Sequence, residues 1–360
     1  MRKTSLRFFF FLLGFIFNPF LFGDAGGISK DIVLDFTGDI MSHTENLIAP
    51  DYKTAYRDIA NLLQKDDLSF ANLEFVIDET TPILGYPRFN VHREYVEAAI
   101  DSGLDVFSLA NNHIYDLGIS GVFQTIRAVA KIRDKYERKV FFSGIRGNPL
   151  ENFKPVLIRV KGIRLGFVAV TQFLNRLEES PYVFVADYRR KKDRERLLEY
   201  VRKWSGRFDI FILSYHGGVE YSVKPDKRKV SFFHRLIKEG VDIVYSHHPH
   251  VIQRFELVPR DGATKLILYS TGNLISGMVG KSAEAHTSDS AIFRVYCRVK
   301  GSGNCCVIRV RPILITNFRD SNGIIVIKRY GEVLSDKSLD SEYYHKRYLV
   351  LKRVLTGKGE

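Results

Sequence analysis

The chain has 360 residues but only three cysteines, three methionines and one tryptophan. The cysteines, Cys297, Cys305 and Cys306, are too few for a fold built on disulfides. They also lack the C-x-x-C spacing of a zinc ribbon or a thioredoxin-like redox pair. A hydrophobic content of 45% with 26% charged residues excludes disordered, collagenous and polytopic membrane classes. The fold must therefore rest on a hydrophobic core, in one large α/β domain or in two smaller ones.

The N-terminus has the pattern of an export signal. Three basic residues precede an uncharged run of 16 residues, Phe8–Gly23, which is followed by small residues. The run is shorter than the ~20 residues of a membrane-spanning helix. No cysteine follows it, which argues against a lipoprotein anchor. We expect residues 1–25 to be a signal peptide or an uncleaved anchor, and the protein to be exported to the periplasm, the cell surface or the outer side of a membrane.

The positive charge does not by itself indicate a nucleic-acid partner. Lys and Arg number 54 against 41 Asp and Glu, giving +13, and removal of residues 1–25 would leave 51 against 40, or +11. The densest basic stretch, residues 189–203, is interspersed with acids and is typical of a solvated helix face. No nucleic-acid-binding motif is present. An exported protein of this charge would suit an anionic envelope polymer or a phosphorylated glycan or lipid.

From residue 31 onward, short apolar runs alternate with stretches of helical spacing, which predicts an α/β fold. Strands are expected at 32–36, 68–71, 106–109, 140–142, 156–160, 165–170, 210–214 and 243–245. Helices are expected at 56–64, 94–102, 121–133, 194–204 and 231–239. After about residue 255, strands follow one another without helices, so we expect an antiparallel run to close the domain.

Polar side chains follow five of the predicted strands. Because ligands bind at the carboxyl ends of strands in open α/β sheets, the five clusters are expected to converge. Carboxylate, amide and imidazole donors without thiolates would suit Mn, Fe, Zn or Mg. The clusters contain Asp39; Asn72 and Glu74; Asn111, Asn112, His113 and Asp116; His216; and His247, His248 and His250.

Each cluster alone allows a simpler interpretation. Gly38-Asp39 could be a turn, and Asn111-Asn112-His113 could be a helix cap with a hydrogen-bonded histidine. The three histidines at 247, 248 and 250 favour a metal more strongly, because the chain has only 10 histidines. A strand would place His248 and His250 on one face.

Together, the motifs resemble the CapA family, whose founding members serve poly-γ-glutamate capsule synthesis and which shares its fold with calcineurin-like metallophosphoesterases. The matching segments are Thr37–Met41, Ala71–Glu74, Ser108–Gly118, His216–Tyr221, His247–Val251 and Tyr269–Asn273, in the family's order. The resemblance implies a four-layer α/β/β/α sandwich over residues 31–318, followed by a C-terminal extension over residues 319–360. It also implies one or two divalent metal ions and possible capsule-synthesis membrane proteins as partners.

The resemblance also implies roles for individual residues. By this resemblance, the metal ligands are Asp39, Glu74, Asn112, His216, His248 and His250. His113 matches the residue that protonates the leaving group. Asp116 and Glu220 are interpreted as acceptors that orient histidines, although Asp116 could instead cap a helix. Substrate contacts are assigned to Asn72, Asn111, Glu220, His247 and Asn273, with Asn273 alternatively holding its turn.

The chain departs from these patterns at three places, which bear on the number of metal ions, on the shape of the rim and, at Met41, on whether the protein is an enzyme. Met41 stands where phosphoesterases usually have a histidine, and His43 is not the same position. Asn72-Leu73-Glu74 replaces the usual Gly-Asp, which leaves one metal position short of a ligand. Gly217 and Ser246 stand where the family commonly has Trp and Gly. We therefore keep two hypotheses, a metal-dependent hydrolase and an envelope assembly protein that binds a polymer without turnover.

Overall fold

The computed structural model describes residues 29–176, 181–279, 286–301 and 303–357. The predicted export segment, residues 1–25, lies outside the described residues. Within the described ranges, no helix combines the length and hydrophobicity needed to cross a bilayer.

Within the described residues, sixteen strands form the framework. In chain order they are β1 (Lys30–Ile40), β2 (Leu68–Leu73), β3 (Val76–Ile77), β4 (Asn90–Val91), β5 (Val106–Ser108), β6 (Phe141–Ser143), β7 (Val156–Val160), β8 (Ile163–Thr171), β9 (Ile210–His216), β10 (Ile243–His247), β11 (Phe255–Arg260), β12 (Ala263–Leu268), β13 (Asn273–Ile275), β14 (Asp289–Val299), β15 (Cys305–Arg319) and β16 (Ile325–Arg329).

In the part of the chain that the structure describes, eight α-helices accompany these strands, with 3₁₀ turns at Tyr52–Tyr56 and Ser205–Arg207. The helices are α1 (Thr44–Leu47), α2 (Ala60–Leu63), α3 (Arg93–Asp101), α4 (Gly118–Lys135), α5 (Lys191–Trp204), α6 (Lys227–Glu239), α7 (Tyr330–Ser335) and α8 (Ser341–Leu355). The helix predicted at 56–64 is broken into a 3₁₀ turn and the short α2, whereas the other four predicted helices are present.

Two sheets carry the fold. The larger has the order β16-β15-β14-β1-β2-β5-β6, with β13 also paired to β1, and the smaller has the order β11-β12-β10-β9-β8-β7. Strands β1, β2, β5 and β6 are parallel, as are β8, β9, β10 and β12. Strands β14 to β16 are antiparallel. The predicted α/β class with a closing antiparallel run is therefore confirmed.

Aromatic side chains join the inner faces of the sheets. The rings of Phe36 and Tyr245 lie 5.2 Å apart, and those of Phe70 and Phe167 lie 5.5 Å apart. Side chains alternate along a strand, so Val168 on β8 points away from this interface. Leu213 on β9 and Val244 on β10 lie at the same level and point the same way. They pack on the apolar faces of α5 and α6.

The predicted C-terminal extension packs onto the sheets. β16 pairs with β15, and Arg347 of α8 is buried against Asp289 at the start of β14. Leu351 and Leu355 are buried in the main core. Cys297, Cys305 and Cys306 are free thiols on the β14–β15 hairpin.

Candidate metal centre

The carboxyl ends of strands from both sheets meet at the site. Asp39 on β1 lies opposite Asn72 on β2 in the parallel register of the larger sheet. His216 and His247 end β9 and β10 and lie opposite each other in the smaller sheet. The parallel register fixes these side chains at the same level, as expected for a ligand site at strand ends.

The start of β13 also reaches the site, because its backbone lies very close to that of β1. The amide of Asp39 donates to the carbonyl of Gly272 at 3.0 Å, and β13 pairs in parallel with β1 so that Asn273 lies opposite Asp39. A Cβ on Gly38 would lie 2.0 Å from the Gly272 oxygen. Glycine is therefore required at position 38 for this pairing.

The first metal-capable group consists of Asp39, His216 and His247, all fully buried. Oδ1 of Asp39 lies 3.5 Å from Nδ1 of His247 and 3.9 Å from Nδ1 of His216. The two Nδ1 atoms are 2.7 Å apart. Three donor atoms from three strands thus converge on one point.

The second metal-capable group consists of Glu74, His248 and His250. Oε1 of Glu74 lies 3.7 Å from Nε2 of His250 and 3.5 Å from Nε2 of His216. Asn112 adds its Oδ1 at 2.6 Å from the same Nε2 atom of His216. His216 therefore presents one ring nitrogen to each group.

Burial dominates the electrostatics of the centre. It raises the pKa of Glu74 well above its ordinary value, and the nearby charge of Asp39 adds to that effect. It lowers the pKa of His247 to about 4 and that of His216 well below normal. Burial opposes the ionisation of Asp39, but hydrogen bonding and charge from His250 outweigh it and lower the pKa to about 2. The same contact raises the pKa of His250.

These side chains fit a divalent cation. Oε1 of Glu74 is buried and has no hydrogen-bond partner among the described residues. Two buried carboxylates and several histidines in their neutral form supply oxygen and nitrogen donors, which suit Mn, Fe, Zn or Mg. A cation at this place would stabilise the ionised form of Glu74, which burial disfavours, and it would satisfy the lone pairs that the histidines direct at each other.

Residues 33–278, more than half of the chain, match the family described as bacterial capsule synthesis protein PGA_cap. The chain belongs to this family. All six predicted metal ligands fall within the matched range. The family predicted from the sequence motifs is thereby confirmed.

Individual relatives are distant. The capsule biosynthesis protein CapA of Bacillus anthracis is 25% identical over 330 residues, which cover 86% of this chain and 74% of that protein. The PGA biosynthesis protein CapA of Bacillus subtilis (strain 168) is 25% identical over 232 residues, 62% of this chain and 54% of that protein. A hypothetical protein from Thermus thermophilus overlaps with a TM-score of 0.46 at 15% identity, covering 79% of this chain and 98% of that one.

The family motif Asn111-Asn112-His113 places a histidine beside the metal-capable groups. Nδ1 of His113 lies 2.7 Å from Oδ2 of Asp116, which also accepts a hydrogen bond from the amide of Phe89. Phe89 packs on the His113 ring at 4.6 Å. The His113 side chain keeps 10% of its surface exposed, so it borders the buried centre and solvent at once.

Most of the predicted substrate contacts have other neighbours. Asn72 donates to Asp39 at 2.8 Å, and Asn111 donates to the Leu73 carbonyl at 2.6 Å. Asn273 pairs with Nδ1 of His250 at 2.9 Å. These three residues and His247 are fully buried, and their contact with a substrate stays a prediction.

Glu220 differs from the other predicted substrate contacts. Its side chain is 47% exposed, and its carboxylate lies 4.0 Å from Nε2 of His248 at the rim. The placement is compatible with both roles considered for it, a substrate contact and an acceptor that orients His248.

The loop after β10 corrects the strand expected to place His248 and His250 on one face. β10 ends at His247, and both following histidines have positive φ, 98° for His248 and 58° for His250. Such backbone conformations are uncommon for residues other than glycine and occur often at functional sites. The turn brings the two rings to 5.7 Å from each other.

Several residues near the centre carried no clear signal in the sequence. Asn175 lies 3.0 Å from Asn112 and 3.2 Å from Nδ1 of His113. His43 accepts from the Gly277 amide, and burial followed by the charge of His250 lowers its pKa to about 4. In the sequence, the one sign that His43 lies near the centre is its position two residues after Met41. Met41 itself is buried in the core.

Proposed function

We propose that this PGA_cap protein is a metal-dependent hydrolase of capsule or cell-envelope polymer biosynthesis. Its substrate would carry a phosphoester or another bond that activated water can attack. The observation that carries the proposal is the convergence of two buried metal-capable groups beside the His113–Asp116 pair. We also propose that the helices outside the two sheets complete the four-layer α/β/β/α sandwich of calcineurin-like metallophosphoesterases.

The two groups would hold one or two ions. Asp39, His216 and His247 would hold the first, and Glu74, His248 and His250 the second, with the Asn112 oxygen beside them. When bound, a divalent cation polarises a phosphoryl or carbonyl oxygen and lowers the pKa of water. The protein contributes fixed donor positions and exclusion of bulk water, because these side chains are almost fully buried.

His113 is the proposed general acid. Asp116 accepts a hydrogen bond from Nδ1, which fixes the tautomer and the orientation of the ring. Phe89 holds the ring plane, so Nε2 keeps its direction. General acid catalysis of this kind contributes about 10²–10⁴-fold to a rate.

The biological role follows from the family and from charge. Relatives are named as capsule and PGA biosynthesis proteins, and we extend a capsule role to this chain. The net charge of +13 suits an anionic polymer or a phosphorylated substrate and, by extension, capsule-synthesis membrane proteins as partners. The proposed location remains outside the cytoplasm.

A non-catalytic envelope assembly protein is the second candidate. It is favoured by the burial of four of the five predicted substrate contacts and by Met41 in place of a histidine. In that case the centre would serve stability or assembly, and His113 would contribute nothing to a reaction.

Metal analysis and hydrolysis assays separate the two candidates. The purified protein would be analysed by plasma mass spectrometry and then assayed with bis(p-nitrophenyl) phosphate and p-nitrophenyl phosphate. His113→Ala should retain metal and lose at least about 100-fold in rate. His234→Ala, which removes a 40%-exposed histidine paired with Glu256, is the matched control and should keep wild-type activity. Absence of bound metal, or equal rates for wild type and His113→Ala, would leave the assembly role.

A further inference from the structure

Two cavities lie side by side along α6 and share Lys227 and Ser231 in their walls. The first has a volume of about 530 Å³ and reaches the start of α5. The second has a volume of about 1160 Å³ and reaches the last turns of α8. Neither is lined by a residue of the two metal-capable groups. They form a separate surface feature.

The walls of both cavities are basic. No Asp or Glu lines either one within the described part of the chain. Eight Lys and Arg side chains line the two cavities and define the surface called here the basic track: Arg189, Arg194, Lys224, Lys227, Arg228, Arg235, Arg254 and Arg353.

Arg235 and Arg254 pair with Glu195 and Glu256, whereas four other cations of the track have no ion-pair partner among the described residues. Lys224, Lys227, Arg228 and Arg353 are exposed, and no carboxylate of the described residues lies within salt-bridge distance of them. Asp226 lies between them in sequence, but its carboxylate is the N-cap of α6 and accepts hydrogen bonds from the Arg228 amide and from other groups. The track therefore carries positive charge that the protein itself does not neutralise.

The second cavity combines this charge with aliphatic walls. Val223, Val230 and Val354 line it, whereas no Phe, Trp or Tyr of the described residues does. Single-stranded nucleic acids are held on aromatic stacking platforms, which this cavity lacks. Carboxylates on an aliphatic backbone match both the cations and the valines.

The track continues to the rim of the metal centre. Tyr221 lies two residues before Val223, and its ring is 6.3 Å from that of His250. Gln253 donates to the Ser222 carbonyl at 2.7 Å and ties this loop to the segment after His250. A linear ligand in the second cavity could therefore reach Glu220 at the rim.

The wall of the second cavity that α8 forms is held against the sheet by a buried ion pair. Arg347 of α8 is buried and pairs with the carboxylate of Asp289, with Nε at 2.9 Å from Oδ2. Arg353 lies in the same helix one and a half turns later and is held in place by that contact.

We propose that the two cavities form one binding track for a linear polycarboxylate that passes along α6 to the rim of the metal centre. The proposal rests on the suggested role in capsule-polymer biosynthesis, but it does not require that the protein hydrolyse anything. Two adjoining cavities with unpaired cations on both sides of α6 favour a long ligand over a single small anion.

Polymer binding by a charge-neutralised variant tests the track. The probe is fluorescein-labelled poly-L-glutamate, and the readout is fluorescence anisotropy at low and high salt. The variant Lys227→Gln, Arg228→Gln, Arg353→Gln should bind about eightfold more weakly, because an exposed ion pair contributes about a factor of two. Its affinity should also depend less on salt, since fewer exposed charges remain to be screened.

The matched control removes the same charge elsewhere. Lys65→Gln, Arg127→Gln, Lys300→Gln changes three exposed cations that line neither cavity, and it should bind the polymer like the wild type. Equal loss in both triple variants would overturn the track, because binding would then follow net charge alone. Binding of phosphatidylglycerol vesicles but not of polyglutamate would also overturn it, in favour of an anionic membrane surface.

The same variants distinguish this inference from the proposed enzyme. Metal content and hydrolysis of bis(p-nitrophenyl) phosphate should be unchanged in the track variant, because none of its substitutions touches the metal-capable groups. A protein without metal that still loses polymer binding in the track variant would refute the hydrolase and support the track.

Discussion

Replacement of Glu74 by glutamine tests the second metal-capable group. The substitution keeps the shape of the side chain and removes the ionised form. Burial raises the pKa of Glu74 well above its ordinary value and so favours the neutral form, which glutamine mimics, in the metal-free protein. We therefore expect metal-free Glu74→Gln and metal-free wild type to unfold at nearly the same temperature.

The two proteins should separate when metal is added. At a metal concentration of about 100 times the wild-type dissociation constant, binding stabilises the folded state by about 2.7 kcal/mol. Loss of an anionic ligand should weaken binding by at least about 100-fold, since even groups that only orient ligands cost about 10- to 100-fold. The variant then gains only about 0.4 kcal/mol. The difference of about 2.3 kcal/mol corresponds to about 5 °C in Tm, using about 2 °C per kcal/mol for a chain of this size.

The assay is a thermal unfolding scan of metal-free protein with increasing Mn²⁺ or Zn²⁺. Glu342→Gln is the matched control, because this carboxylate is 78% exposed, pairs with Lys346 on α8 and belongs to neither metal-capable group, so it should leave the metal response unchanged. If metal raises the Tm of Glu74→Gln as much as that of the wild type, Glu74 is not a ligand and the second group is misassigned.

Two further predictions concern buried charges outside the centre. Burial raises the pKa of Asp66 to about 8, so the carboxyl is protonated in the folded state and ionised in the unfolded state between about pH 4 and 8, and stability falls as pH rises through this window. Asp66→Asn should remove that fall in stability. In urea unfolding at about pH 8.5 we expect the variant to be more stable than the wild type by about 2 kcal/mol, a value reduced for solvent screening because the group is partly exposed. Equal stability of the two proteins at this pH would contradict the raised pKa. Arg347→Met should destabilise the protein by about 3 kcal/mol, because it leaves Asp289 buried without its cation, and hydrogen exchange should rise throughout α8. Unchanged exchange in α8 would show that this pair does not anchor the helix.

Local sequence signals predicted most of the core strands and four of the five helices. The continuous apolar runs of β9 and β10, which are buried at every position, are local features that the sequence displays directly. So are Gly103 after α3 and Gly240 at the end of α6, both of which adopt positive φ. The exception is the region predicted as one helix over 56–64, where tertiary packing leaves only a 3₁₀ turn and a short α2.

Long-range contacts determine what the sequence could not predict. The pairing of β13 with β1 depends on the approach of Gly38 to Gly272, which are far apart in the chain. The sequence did not predict β16 or α8. Arg347, which holds α8 in place, pairs with Asp289, and these residues are 58 positions apart in the chain, so no local signal reports the contact. Motif order located the metal-capable residues, but it could not tell which of them lie at the surface.

His247 illustrates this limit of motif-based reasoning. Position within the motif suggested a substrate contact, whereas the parallel register of β9 and β10 places its ring against His216 and Asp39. Burial of a polar side chain depends on the neighbouring strands, and those neighbours come from a distant part of the chain.

The most direct test of the metal centre is a crystal structure of the protein grown with Mn²⁺, with anomalous scattering measured to locate the ion. The account predicts an anomalous peak within about 2.3 Å of ligand atoms of Asp39, His216 and His247, of Glu74, His248 and His250, or of both groups. Fully ordered side chains at both groups without any anomalous peak would contradict it.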